Sequence, residues 1–267
     1  MMASTDLPPV EHRPADLVAR LAGTDGLVVC LDFDGTLAPV VDDPDEARID
    51  PAARSAVASL ADRPGVAVGI VSGRGLADLT GRVGIDGVAY AGNHGLELRR
   101  GDGRAVHPIA AAREQRVERV CERLRERVGD VAGFHVENKR LTATAHFRQT
   151  PADAVGTVVS AVERAVDRTP GLCVEPGKQI REIRPAVPWD KGDTVRLLAE
   201  DAPRGWTELY VGDDVTDEDA FRAVQPEGAG VRVGDPEGSK ADYCLADRDD
   251  VPPFLEWLDE RLADRQE

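Results

Sequence analysis

An apolar run that ends abruptly on two aspartates constrains this chain more than any other feature. Val28-Val29-Cys30-Leu31 leads straight into Asp32-Phe33-Asp34-Gly35-Thr36. Such a run reads as a strand buried on both faces, the kind found inside a parallel sheet. Open α/β sheets place their ligands at the carboxyl ends of these strands. Side chains alternate along an extended chain, so Asp32 and Asp34 share a face. Two carboxylates that close repel unless a cation lies between them. Asp-Gly also marks ordinary turns, and the segment alone is compatible with a strand closed by a polar turn.

The design recurs in Leu209-Tyr210-Val211-Gly212-Asp213-Asp214-Val215-Thr216-Asp217. Thr216 or Asp217 can cap a following helix, but capping does not need the Asp213-Asp214 pair at the strand end. Between the two clusters lie Val68-Gly69-Ile70-Val71-Ser72-Gly73-Arg74 and Trp189-Asp190-Lys191-Gly192. Alone, such a Ser is a turn residue and such a Lys a solvated charge. In this order they form a DxDGT strand end, a Ser strand end, a Lys at a helix start and a GDDxxD strand end. The set resembles the haloacid-dehalogenase superfamily of phosphotransferases, over roughly residues 27 to 245.

That resemblance implies a mechanism. Phosphate monoesters react so slowly unaided that enzymatic accelerations approach about 10²¹-fold, and a carboxylate nucleophile splits the reaction into two easier steps. By resemblance Asp32 is the nucleophile, and Asp34 protonates the leaving oxygen and later deprotonates the hydrolytic water. Ser72 holds a phosphoryl oxygen, and Lys191 neutralises nucleophile and phosphate together. Asp32, Asp213 and the main-chain carbonyl of Asp34 bind Mg²⁺, a hard cation suited to few protein oxygens plus water and phosphate. Asp214 is expected to orient water or Lys191 from behind the metal ligands, and Asp217 to do the same or only to cap a helix. A protein that binds phosphate without turning it over needs neither Asp34 nor Lys191, and both are present.

The fold class expected is α/β: a mostly parallel, Rossmann-like sheet of the haloacid-dehalogenase kind with an inserted α+β cap. A leader and short helix occupy residues 1 to 24. Pro51 to Asp62 reads as a helix, with Asp50 as N-cap and Pro51 at its first position. Val66 to Val71 and Val88 to Gly92 read as strands flanking a helix from Leu76 to Arg82. The pattern then becomes helix, hairpin, helix, hairpin: Ala110 to Val128, strands 133–137 and 141–148, Pro151 to Asp167, and strands 172–175 and 179–184 around Pro176-Gly177. Strand-helix alternation resumes at Asp190, with a strand at Leu209 and a closing helix from Val251. Residues 106–185 are thus expected to be a cap within a core of residues 1–105 and 186–267.

On the expected cap strands, Glu137 and Lys139 share a face, as do Thr144, His146 and Arg148, and Lys178, Ile180 and Glu182. Such a face suits a polyhydroxylated ligand, and equally a solvated sheet bearing cross-strand ion pairs. A narrower resemblance spans Ser72-Gly73-Arg74, Gly92-Asn93-His94-Gly95-Leu96-Glu97, Glu137-x-Lys139, His146-x-Arg148, Gly177-Lys178-x-x-x-Glu182-Ile183-Arg184-Pro185, Lys191-Gly192 and the Gly212–Glu218 segment. It is to the trehalose-6-phosphate phosphatase family. It implies that Glu137, Lys139, Arg148, Lys178 and Glu182 contact the disaccharide, and that Arg74, Asn93 and His94 lie on the substrate side where cap meets core. Sucrose-phosphate and mannosyl-phosphoglycerate phosphatases, a phosphomannomutase-like isomerase and a noncatalytic sugar-phosphate sensor remain as alternatives on the same fold.

Charge bounds the partners. The 267 residues carry a net charge of −16, which disfavours both nucleic-acid binding through a basic face and anionic membranes. Lysine occurs only at 139, 178, 191 and 240; Lys240 has no assigned role. An acid-rich, lysine-poor surface fits work in concentrated salt, where the Debye length is only about 3 Å at 1 M; GC-rich codon drift gives the same bias. Cys30, Cys121, Cys173 and Cys244 form no CxxC pair and read as reduced, buried thiols. Met1 to Pro14 is polar, without an apolar signal segment. The expectation is a cytoplasmic monomer acting on a small phosphosugar, with no membrane or nucleic-acid partner.

Overall fold

The computed structural model describes Val10, residues 14–22, 24–41 and 44–263; the expected leader lies outside these except for Val10. The chain divides into two compact units. One comprises the residues up to Arg104 together with those from Trp189 onward, and the other is Ala105–Pro188.

In the first unit the aspartate-terminated run forms β1 (Gly26–Asp32), and every residue of it is buried. Its alternation serves two cores. Leu27, Val29 and Leu31 face one apolar cluster with residues of α1 (Pro14–Ala22), α2 (Pro51–Asp62), α3 (Leu76–Val83) and α9 (Val251–Ala263). Val28 and Cys30 face the other, with residues of α7 (Lys191–Glu200) and α8 (Glu218–Val224). Burial pushes the Cys30 thiol up to about 12, so it behaves as an inert apolar side chain. The sheet is therefore the middle of three layers, which is why β1 shows no polar alternation.

β1 pairs in parallel with β2 (Val66–Val71) on one side and β10 (Trp206–Gly212) on the other. β3 (Ala89–Gly92) continues beyond β2, and β11 (Ala229–Val233) and β12 (Tyr243–Leu245) continue beyond β10, all parallel. Chain order thus runs outward in opposite directions from β1. The β1/β10 junction is the topological switch point, where α/β sheets open a ligand crevice.

Asp50 caps α2 as expected, accepting from the Ala52 and Ala53 amides at 2.8 and 3.2 Å. Two features depart from expectation. β4 (Glu97–Arg100), antiparallel to β3, and β5 (Gly103–Val106) extend the sheet to eight strands; their charged, short sequences carry no strand pattern. The single helix expected over 110–128 is two, α4 (Pro108–Ala111) and α5 (Glu114–Val128), broken at Ala112-Arg113. Among the described residues no helix is long and apolar enough to cross a membrane.

The second unit holds β6 (His135–Asn138), β7 (Ala143–His146), α6 (Ala152–Asp167), β8 (Leu172–Gly177) and β9 (Ile180–Pro185). Its antiparallel sheet has the order β6-β7-β9-β8. One face, with Val136, Ala143, Ala145 and Ile183, packs with Val117, Val120, Leu124, Val158 and Val162 of α5 and α6. The second hairpin turns one step later than its Pro-Gly pair implies. Pro176 and Gly177 end β8, paired with Arg181 and Ile180, and the turn is Lys178-Gln179, with Gln179 at φ +62°. Pro176 is tolerated because β8 is an edge strand, where a missing N–H costs no ladder bond.

Candidate active site

Four segments of the first unit converge at the carboxyl ends of β1, β2 and β10. Lys191 opens α7, whose start is fixed by a reciprocal cap: the Asp193 amide donates to Asp190 at 2.9 Å and the Asp190 amide to Asp193 at 3.3 Å. This cap aims a buried ammonium at two carboxylates. Lys191 Nζ donates to Asp32 Oδ1 at 2.6 Å and to Asp217 Oδ1 at 2.5 Å. Asp217 is fully buried and also accepts from the Tyr210 hydroxyl at 2.6 Å and, through Oδ2, from the Asp214 amide at 2.8 Å. Asp214 itself is exposed. Of the two aspartates expected to orient Lys191, Asp217 does so and Asp214 does not, because the 3₁₀ turn over Val215–Asp217 folds Asp217 back under the strand end.

Asp213 completes the cluster. Thr36 donates to its Oδ1 at 3.2 Å, which gives the Thr of the DGT sequence an orienting task. Gly35 sits at φ +89°, and a side chain there would collide with the Asp213 carboxylate, so glycine is required both by conformation and by space. Oxygens of Asp32, Asp213 and Asp217 lie within 4.8 Å of one another, a donor set that fits a metal ion.

The electrostatics point the same way. Burial pushes Asp32 well above its ordinary value; Lys191 opposes the rise, and Asp217 and Asp213 add to it. Burial and then Asp217 push Asp213 up to about 6. Burial alone would lower the Lys191 pKa, but Asp217 and Asp32 outweigh it and hold the ammonium charged. Three carboxylates facing one ammonium leave two uncompensated negative charges, the charge of one divalent cation.

Asp34 turns away from this cluster. Arg74 grips it with a fork, Nε to Oδ2 at 2.8 Å and Nη2 to Oδ1 at 2.7 Å, and the same guanidinium reaches Asp78 at 3.1 Å. Ser72 is buried at the end of β2, and its hydroxyl accepts from the Arg74 amide at 3.1 Å. Asn93 and His94 both take left-handed backbone, at φ +50° and +55°. The Asn93 amide nitrogen donates to Glu97 Oε1 at 2.6 Å, and the Leu76 main-chain amide donates to the same oxygen at 2.9 Å. Glu97 thus ties the loop of Arg74 to that of Asn93, a function its place in a charged segment concealed. His94 lies against Gly73, where an added Cβ would stand 2.7 Å from Nε2.

In the second unit, Glu137 of β6 and Glu182 of β9 both stand opposite Thr144 of β7, so the three form one row on the sheet face away from α5 and α6. Glu137 contacts His146 Nε2 at 3.1 Å, and His146 stacks on His135 at 4.3 Å. Lys139 lies just past β6, where its amide donates to Thr142 at 2.9 Å. Arg148 lies past the other end of β7, and Lys178 in the turn before β9. The expectation that Lys178 and Glu182 share one strand is therefore corrected. The later turn moves Lys178 off the strand, and Arg148 likewise leaves the strand that carries Thr144 and His146.

Comparison with known proteins draws these observations together. The trehalose-phosphatase family profile matches residues 30–248. A trehalose-phosphate phosphatase of Mycobacterium marinum is 41% identical over 241 residues, 86% of this chain and 61% of that protein, so the chain spans less than two thirds of the relative's length. A solved structure described as a trehalose-6-phosphate phosphatase related protein is similar at TM-score 0.80 and 25% identity, over 90% of this chain and 100% of its own. A haloacid dehalogenase-like hydrolase of Bacteroides thetaiotaomicron shares the fold at TM-score 0.62 and 16% identity, over 87% of this chain and 99% of its own. The profile match encloses the whole buried cluster from Asp32 to Asp217, and on that ground the chain belongs to the trehalose-phosphatase family.

Proposed function

We propose that this protein is a Mg²⁺-dependent phosphomonoesterase that hydrolyses trehalose 6-phosphate to trehalose and phosphate. The observation that carries the reading is the buried Lys191 held between Asp32 and Asp217, with Asp213 alongside, at the β1/β10 switch point. Burying so much charge carries a desolvation cost that apolar residues of similar volume would avoid, which supports a functional reason for keeping it.

Asp32 attacks phosphorus, and the phosphoryl group passes to its carboxylate as the sugar oxygen leaves with a proton. Asp34, its carboxyl oriented by Arg74, supplies that proton and then takes one from the water that hydrolyses the acyl phosphate. The Ser72 hydroxyl hydrogen is directed to a phosphoryl oxygen, and the Lys191 ammonium balances charge on both nucleophile and phosphate. Asp32 and Asp213, with the Asp34 carbonyl, would hold Mg²⁺, whose chemistry is to offset charge on the transferring phosphoryl group. An all-oxygen donor set favours this hard cation over softer ones.

The sugar falls to Glu137, Lys139, Arg148, Lys178 and Glu182. Carboxylates accept from sugar hydroxyls, and ammonium and guanidinium groups donate to them. The row formed by Glu137, Thr144 and Glu182 supports this reading, as do relatives named for trehalose phosphate. Phosphate release from trehalose 6-phosphate, sucrose 6-phosphate, glucose 6-phosphate and mannosyl phosphoglycerate, with Mg²⁺ and with EDTA, tests it. Preference for trehalose 6-phosphate that vanishes in EDTA is expected. Preference for another sugar would reassign the substrate, and activity in EDTA would remove the metal.

A further inference from the structure

Tyr210 is fully buried in β10, and its place in the apolar run Leu209-Tyr210-Val211 marks it as a core residue. Its hydroxyl does something a core residue need not do. It donates to Asp217 Oδ1 at 2.6 Å, the oxygen that also accepts from Lys191 at 2.5 Å. The ring is fixed by an edge-on contact with Phe221 at 5.7 Å. A continuous buried line therefore runs from the Tyr210 hydroxyl to Asp217, from Asp217 to Lys191, and from Lys191 to Asp32 Oδ1 at 2.6 Å.

Asp217 has two places to be. One of its oxygens lies within 4.8 Å of oxygens of Asp32 and Asp213, close enough to join a metal's ligands. It also serves as the counter-charge that aims Lys191. Carboxylate rotation about its last bond is soft, so what fixes the choice is the set of donors around it. The Asp214 amide pins Oδ2 at 2.8 Å. Tyr210 pins Oδ1 at 2.6 Å, and is the one neutral side-chain donor described on that oxygen.

We propose that Tyr210 is a positioning residue: its hydroxyl holds Asp217 on Lys191, so that Lys191 stays on the nucleophile Asp32. This rests on the phosphomonoesterase reading and adds to it a residue that acts at one remove. Its loss should affect the chemical step more than substrate binding, because Tyr210 touches no group assigned to the sugar.

The experiment is a cycle of Tyr210→Phe, Asp217→Asn and the double variant, with kcat and KM measured for trehalose 6-phosphate and for a small aryl phosphate. Tyr210→Phe removes one oxygen and keeps the ring, and Phe221→Leu serves as a control that disturbs the packing but keeps the hydroxyl. Loss of a hydrogen bond to a charged group predicts a fall in kcat of about 10-fold on both substrates, with KM nearly unchanged. In the Asp217→Asn background the same change should have almost no further effect. An unchanged kcat in Tyr210→Phe overturns the inference. So does a loss that persists undiminished in the Asp217→Asn background, or an equal loss in Phe221→Leu, since either would make Tyr210 a packing residue. A wild type that hydrolyses no phosphate ester overturns the functional reading, and this inference with it.

Discussion

The buried acidic cluster of the first unit and the polar sheet face of the second are both rich in charge, yet they are built on opposite terms. In the cluster, the side chains of Lys191, Asp32 and Asp217 are 4%, 6% and 0% exposed, and each is held by a short, specific partner. Breaking a buried pair of this kind costs about 3–5 kcal/mol. On the polar face, Glu137 and Glu175 are roughly half exposed beside His146 and Arg184, and exposed pairs contribute only about 0–1 kcal/mol. The cluster therefore has one arrangement, set before any ligand arrives, while the face keeps side chains that can exchange protein partners for ligand hydroxyls at little cost. On the proposed reading, chemistry that must recur on every turnover falls to the rigid region, and recognition to the adaptable one.

If that contrast is right, the largest effects come from the cluster and ignore the leaving group. Asp32→Asn should abolish phosphate release from any monoester, because an amide neither attacks phosphorus nor binds Mg²⁺ well; loss of its buried pair with Lys191 should also lower the melting temperature, so circular dichroism at the assay temperature checks that the variant is folded. Asp34→Asn should slow turnover by at least about 10²-fold through loss of acid-base catalysis; a variant within a few-fold of wild type would remove Asp34 from that role.

Next in size is a pH effect on the metal. Asp213 is raised in the folded protein from 3.8 to about 6 by burial and Asp217. Between those values the folded chain holds a proton that the unfolded chain has lost, so the stability of the metal-free protein should fall as pH rises through that window. Mg²⁺ needs the deprotonated carboxylate. Its apparent affinity should therefore climb as pH rises through about 6, as calorimetric titration at several pH values would show. A pH-independent affinity would mean that Asp213 is not a ligand.

The smallest effect is global. With net charge −16, screening should relieve self-repulsion and raise the melting temperature as KCl approaches molar levels. A flat or falling curve would leave codon drift as the account of the scarce lysines.

What could be read from sequence follows the same division. β1, β2, α2 with its Asp50 cap, and the order of Asp32, Ser72, Lys191 and Asp213 were legible because buried parallel strands and strand-end carboxylates leave local patterns. Three things were not. Tyr210 looks like any apolar strand residue until its hydroxyl meets Asp217. That Asp217 and not Asp214 meets Lys191 depends on a 3₁₀ turn, since both are aspartates beyond the same strand and either could have done so. The second hairpin misled because Pro176-Gly177 is a strong turn signal, yet Gln179 at φ +62° takes the turn. Register, not composition, decides which cap residues share a face.

The most direct test sets the two regions against each other on two substrates. It measures kcat/KM for trehalose 6-phosphate and for a small aryl phosphate in wild type, Asp217→Asn and Glu182→Ala. Asp217→Asn should lose activity on both substrates to a similar extent. Glu182→Ala should lose about 10- to 150-fold on trehalose 6-phosphate, the worth of one hydrogen bond to a charged group, and almost nothing on the aryl phosphate. Equal losses on the two substrates in Glu182→Ala, or none on either, would contradict the separation of chemistry from sugar recognition on which this account rests.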